Sequence, residues 1–412
     1  MVGIIINKNK KMNKESIVLF TKDAFPIDYL PCYGNQYWRG KTPNIDDLAK
    51  KGTLFTNFYT AAPSSAMAYL SMFTGKYPYE QDIKRYQILE KYKGITLFDK
   101  ASSMGFSCHV IWDKSWMPTS YLRSMCYGDN TEIHALDNLH QGVGFHYNHS
   151  QTLIPSKIVE NTTLTMIENE LKKITANDAK VFLWFHLPHV INGRTGYGSD
   201  IDLHDIVLGI VRKYFDDSHI FISADHGNMN GHKGKLGYGF DVYESAIHIP
   251  LITPRKEEKE IYEGLVSNVD MEKLIFDDVI PKREVIYSDT AYYVQPDRKI
   301  LIMKDNFRYI YNKADNTEEL YDVAWDPDEN FNLIADKVLD IDRGVHVFSR
   351  ELYFYPYWDE IPTVRQSFRE YRYSMWRTGS PSEEFCAKYQ QIMGRKFPRV
   401  AKFVKRIIGY KG

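Results

Sequence analysis

Short apolar, β-branched runs alternate with helix-patterned stretches from Glu15 to about Thr253. That alternation is what a mostly parallel sheet covered by helices requires. Ser16-Ile17-Val18-Leu19-Phe20, Val181 to Phe185 and Ile220-Phe221-Ile222 read as buried strands. Open α/β sheets collect their ligands at the C-terminal ends of such strands. At those ends stand Asp23, then Pro188-His189, then Ser223-Ala224-Asp225-His226-Gly227. The last of these presents a carboxylate and an imidazole side by side.

A second cluster of polar residues lies upstream. Thr42 to Ala49 and Gly52 to Tyr59 are followed by Pro63-Ser64-Ser65-Ala66-Met67-Ala68-Tyr69-Leu70-Ser71-Met72-Phe73-Thr74-Gly75-Lys76-Tyr77-Pro78. Here a hydroxyl-rich turn leads into a helical pattern, where a nucleophile at a helix N-terminus would sit. Ser64 and Ser65 are both placed for that role.

Bulk properties exclude several classes. The formal charge of −1 gives no overall basic surface for nucleic acid. Cys32, Cys108, Cys126 and Cys386 show neither zinc-finger nor C-x-x-C spacing, which fits free thiols in a reducing compartment. No apolar run approaches the roughly 18–20 residues of a membrane-spanning helix. Val2 to Ile6 is too short for a signal-peptide core. A cytoplasmic location is expected.

The ordered blocks resemble the sulfatase branch of the alkaline-phosphatase superfamily. The likeness continues through Asp205 to Gly209, Tyr243-Glu244, His248-Ile249-Pro250-Leu251-Ile252, Glu319-Leu320-Tyr321-Asp322-Val323, Asp326-Pro327 and Asn332-Leu333. It implies an α/β fold with a mostly parallel sheet sandwiched by helices, and a small C-terminal antiparallel sheet from the alternating patterns at Val285-Ile286-Tyr287, Lys299 to Met303 and Arg308 to Tyr311. A helical tail follows. The expected division is an extension at 1–14, a catalytic domain at 15–270, a packed subdomain at 271–345 and an aromatic, then basic, tail at 346–412.

The resemblance also implies one metal site shared by Asp23, Asp225, His226 and a nucleophile about nine residues before Thr74-Gly75, which is Ser65. Two carboxylates and an imidazole suit Zn²⁺ or Mn²⁺ better than Ca²⁺ or Mg²⁺. His189 and His248 match positions that contact the transferred group or protonate the leaving oxygen, and Lys114 one that neutralises a non-bridging oxygen. His232 is a weaker candidate, and His232 with His248 and a carboxylate is considered as a second metal site. His186, Asp28 and Asp205 read as structural.

The departures from the sulfatase pattern point elsewhere. Sulfatases convert a Cys or Ser to formylglycine in a motif carrying Pro and Arg, but Ser65 is followed by Ala66, Met67, Ala68 and Tyr69. The family's paired Asp is Asp23-Ala24, and its Gly-Lys-Trp-His block is Asp113-Lys114-Ser115-Trp116, which keeps the Lys and loses the His. The site pattern is similar to that of phosphoethanolamine and phosphoglycerol transferases. The expected activity is therefore metal-dependent phosphoryl-ester transfer or hydrolysis through a covalent phosphoserine on a small-molecule, lipid-linked or glycan-linked substrate. A sulfuric ester hydrolase and an inactive binding module are the alternatives. From Arg395 to Gly412 seven basic residues and no acid accompany Val400, Phe403, Val404, Ile407 and Ile408 at helical spacing. This pattern suits either peripheral contact with an anionic membrane or docking on the protein itself.

Overall fold

The computed structural model describes residues 15–34, 42–81, 94–113, 131–136, 156–177, 180–188, 198–254, 260–290, 298–335, 338–340, 346–348 and 355–377. Lys114, His189 and the basic tail from Arg395 lie outside them.

In chain order the main elements are β1 (Ile17–Lys22), α1 (Pro43–Lys51), β2 (Thr53–Phe55), β3 (Phe58–Tyr59), α2 (Ser65–Thr74), α3 (Leu97–Ser103), β4 (Ser107–Asp113), β5 (Thr131–Leu136), α4 (Ser156–Asn177), β6 (Val181–Leu187), α5 (Gly198–Val211), β7 (Ile220–Ala224), α6 (Glu244–Ile247), β8 (Leu251–Thr253), β9 (Ile261–Tyr262) and β10 (Val266–Ser267). Four antiparallel strands follow, β11 (Val285–Asp289), β12 (Lys299–Lys304), β13 (Phe307–Asn312) and β14 (Thr317–Asp322). Then come β15 (Val338–Asp340), β16 (His346–Phe348) and α7 (Ile361–Arg377).

The principal sheet has the order β5-β4-β6-β1-β7-β8-β2-β9. Its first five strands run parallel, and β8 is antiparallel to both β7 and β2. The central strands β1, β6 and β7 are buried along their whole length. That is why they read as continuous apolar runs rather than alternating ones. Lys22 pairs with Ala224, so β1 and β7 end together and deliver Asp23 and Asp225 to one edge.

The family-like block Asp205 to Gly209 packs α5 against the start of α1. Asp205 Oδ1 accepts from the amides of Asn44 and Ile45, both at 2.9 Å, and so satisfies the open N-terminus of α1. Gly209 lies one turn further on. A Cβ there would stand 2.9 Å from the Asn44 side-chain nitrogen, so the glycine leaves room for Asn44 to reach Asp205.

The antiparallel sheet β11-β12-β13-β14 carries α7 on one face, where Tyr309 stacks on Phe368 at 5.6 Å. Its other face contributes Ile286, Leu301, Met303 and Ile310 to a cluster with Tyr59, Val242 and Tyr243 of the main unit. The two units are joined electrostatically by the buried Arg308. Its guanidinium reaches Glu244 at 2.5 Å, Glu329 at 3.2 Å and the Tyr59 hydroxyl at 3.1 Å.

Candidate active site at the ends of β1 and β7

Ser65 Oγ, Asp23, Asp225 and His226 meet in a buried recess where α2 starts. Ser65 Oγ lies 3.1 Å from His226 Nε2 and 3.4 Å from Asp23 Oδ1. His226 Nε2 is in turn 3.4 Å from Asp23 Oδ1 and 3.5 Å from Asp225 Oδ2. The candidate ligand atoms of Asp23, Asp225 and His226 all fall within 4.8 Å of one another.

Local chemistry fixes each group. Asp225 Oδ1 accepts from the amides of Ala24 at 3.1 Å and His226 at 2.8 Å. The His226 ring nitrogen Nδ1 lies 2.7 Å from the Gly227 carbonyl, so Nδ1 carries the proton and Nε2 turns a lone pair into the recess. The Tyr238 ring packs on that imidazole at 4.3 Å. Gly227 is obligatory, because a Cβ there would sit 2.1 Å from the Ser245 carbonyl oxygen. Ala24 adopts a left-handed φ of 52°, strain of the kind that collects at functional sites. The position that carries the family's second Asp is here spent on turning the backbone toward Asp225.

The donor set fits a divalent cation. Asp225 Oδ2 is buried without a hydrogen bond. Burial pushes the Asp225 carboxyl up to about 6 and holds the His226 imidazole below its ordinary value. Burying such groups is costly without a cation to offset them. Asp23, Asp225 and His226 are the residues that would hold it, with Ser65 Oγ beside them.

The two candidate serines differ in placement. Ser64 is the N-cap of α2, and its buried hydroxyl makes no hydrogen bond. Ser65 is the one that faces the cluster. It stands at the first position of α2, where unpaired amides and the helix dipole favour an anion.

Other candidates lie elsewhere. The His248 ring is held by other groups: Nδ1 meets Glu244 at 2.5 Å, Nε2 meets the Thr56 carbonyl at 2.8 Å, and the ring stacks on Tyr59. With both ring nitrogens engaged, it props α6 against β3. His232 spans Ser245 Oγ at 3.0 Å and the Asp328 carbonyl at 2.9 Å, so His232 and His248 share no ligand cluster among the described residues. Sequence reasoning missed Lys22, a fully buried ammonium that donates to the Asp23 carbonyl at 3.0 Å. Its signal was a charge at the last position of a fully buried, mostly apolar strand.

The sulfatase family profile matches residues 15–190. An ulvan-active sulfatase of Formosa agariphila is 28% identical over 297 residues, covering 65% of this chain and 53% of that protein. An N-acetylgalactosamine-6-O-sulfatase of Bacteroides thetaiotaomicron is 25% identical over 183 residues, covering 41% of this chain and 33% of that protein. The chain thus spans about half or less of these curated relatives. In structure it is similar to a phosphonate monoester hydrolase of Agrobacterium radiobacter, with a TM-score of 0.62 and 14% identity over 88% of this chain and 95% of that one. None of these three relatives is named as a phosphoethanolamine or phosphoglycerol transferase. The sulfatase profile thus matches the N-terminal part of the chain, and the fold is similar to the alkaline-phosphatase-like α/β fold of its structural neighbours.

Proposed function

We propose that the chain cleaves an anionic ester of sulfuric or phosphoric acid, with residue 65 as the nucleophile. The observation that carries this reading is the convergence of Ser65 Oγ with Asp23, Asp225 and His226 at the N-terminus of α2. A divalent cation held by those three residues would favour the alkoxide of Ser65 and offset the charge on the ester oxygens. With residue 65 as an unmodified serine, Ser65 Oγ gives up its proton and bonds to the sulfur or phosphorus, the bond to the alcohol oxygen breaks, and that oxygen takes up the proton. Water or an acceptor hydroxyl then attacks the same centre and returns Ser65 with its hydroxyl restored. The first-turn amides of α2 are aimed where the non-bridging oxygens gather charge.

The relatives favour a sulfate ester on a carbohydrate as the substrate class, since both curated proteins are named as sulfatases. One observation favours the phosphoryl reading instead. Tyr69 stands where the formylglycine motif has its Arg, and its hydroxyl is bound to His186 at 2.6 Å. Without that Arg, Ser65 is read as an unmodified nucleophile. An assay of the purified chain with Mn²⁺, Zn²⁺, Ca²⁺ or Mg²⁺ against nitrophenyl sulfate, phosphomonoester and phosphodiester separates the two, together with the mass of the peptide containing Ser65. Sulfate turnover with an aldehyde at residue 65 supports the first reading, and phosphoester turnover with an intact serine supports the second. No turnover of any ester, unchanged by Ser65→Ala, overturns both and leaves a binding module.

A further inference from the structure

A second constellation lies at the far edge of the principal sheet, on β4 and β5. His109 is third along β4, and its register partner on β5 is Glu132; His134 follows two residues later on the same face. His109 Nδ1 and His134 Nε2 approach to 2.9 Å. Glu132 lies 3.7 Å from His109 Nδ1 and 3.9 Å from His134 Nε2. Three ligand atoms on a tetrahedral ion at about 2.1 Å each would stand about 3.4 Å apart. The observed separations bracket that value.

The remote nitrogens strengthen the case. His134 Nδ1 is held by Glu170 of α4 at 3.1 Å, and His109 Nε2 by Ser107 Oγ at 3.0 Å. Each imidazole thus has its outer nitrogen fixed and its inner nitrogen turned toward the other and toward Glu132. This is the arrangement by which second partners orient metal-binding histidines. Both histidines are nearly buried, at 3% and 9% side-chain exposure, whereas Glu132 is 68% exposed and keeps the cluster open to solvent. Two imidazoles and one carboxylate are a borderline-soft set suited to Zn²⁺.

We propose that His109, Glu132 and His134 form a Zn²⁺ site, with water as fourth ligand, separate from the Ser65 centre. The ion ties edge strand β5 to β4 and, through Glu170, to α4. An edge strand is otherwise held from one side only. The proposal stands whether the Ser65 centre handles sulfate or phosphate.

Zinc content decides it. Full-length Asp225→Asn, which disables the first centre, is stripped with chelator, reloaded with Zn²⁺ and desalted. One zinc per chain is expected to remain, and Zn²⁺ should raise its melting temperature. Asp225→Asn with His134→Gln should retain none and show no such rise. Glu132 is exposed, so Asp225→Asn with Glu132→Gln should fold normally and bind Zn²⁺ at least about tenfold more weakly. Co²⁺ should give the visible absorption of a four-coordinate nitrogen–oxygen site in Asp225→Asn and lose it with Glu132→Gln. A folded Asp225→Asn chain without zinc overturns the proposal. So does affinity unchanged by Glu132→Gln, since the histidines would then be only a hydrogen-bonded pair flanked by carboxylates.

Discussion

The Tyr69 hydroxyl meets His186 Nδ1 at 2.6 Å, one helical turn beyond Ser65. Thr21 Oγ1 lies 3.0 Å from the same nitrogen and accepts from Trp184 Nε1 at 2.9 Å. Burial, then the nearby Lys22, holds the His186 imidazole well below its ordinary pKa. Burial, then the charge of Asp225, pushes the Tyr69 phenol up. The floor of the recess is therefore a neutral hydrogen-bonded chain. Tyr69→Phe removes one hydroxyl without changing the ring and should cost about 1–2 kcal/mol in urea denaturation. A loss near zero would mean that the hydroxyl carries no share of this network.

Ser65→Ala should lower turnover at least about a thousandfold while leaving the fold intact, because the hydroxyl supports neither a cap nor a core contact. Ser64→Ala should stay within about tenfold of the parent rate, since the Ser64 hydroxyl has no hydrogen bond to lose. The same two variants, compared by kcat and by circular dichroism, would reverse in order if the nucleophile were Ser64.

The parts of this site that could be read from sequence are those set by local chain geometry. Asp23 and Asp225 each follow a strand of buried residues, while Ser65 is singled out by the resembling family's spacing from Thr74-Gly75, a helix end closed by a left-handed glycine at φ 67°. The antiparallel patterns at Val285, Lys299 and Arg308 became β11, β12 and β13 for the same reason. What escaped needed contacts between distant segments. His109, Glu132 and His134 share one face only because β4 and β5 pair in a particular register. His248 sits in a family-like block, yet its role is decided by Glu244 and the Thr56 carbonyl, neither of which marks it in sequence.

Arg308 is buried with Glu244, Glu329 and the Tyr59 hydroxyl around it. Against the upward push of burial, Arg308 and then His248 hold the Glu244 carboxyl down to about 2. Arg308→Met would strand the buried Glu329 and the part-buried Glu244 between the main unit and the antiparallel sheet. A loss of about 3–5 kcal/mol is expected. Arg308→Met with Glu244→Gln should recover part of it. If the single variant lost under about 1 kcal/mol in guanidinium unfolding, this link would be peripheral to stability.

Glu318 on β14 gathers three arginines of α7. Arg369 donates to it at 2.8 Å and 2.7 Å, Arg365 at 2.9 Å and Arg372 at 3.3 Å, with the Tyr309 hydroxyl at 2.5 Å. Burial works to raise its pKa, but the hydrogen bonds from Arg369, Tyr309 and Arg365 outweigh it, and the carboxyl falls from 4.5 to about 2. A depressed carboxyl contributes stability that is complete above its unfolded value and is lost as pH falls through the folded one. The contribution should therefore be whole at neutral pH and fade between about pH 4.5 and pH 2. Glu318→Gln lacks it at every pH. The gap in unfolding free energy between parent and variant should be widest above pH 5 and close toward pH 2. Other carboxylates titrate in both proteins and cancel in that difference. A gap that stays constant across this range would show that Glu318 holds α7 by shape and neutral hydrogen bonds rather than by charge.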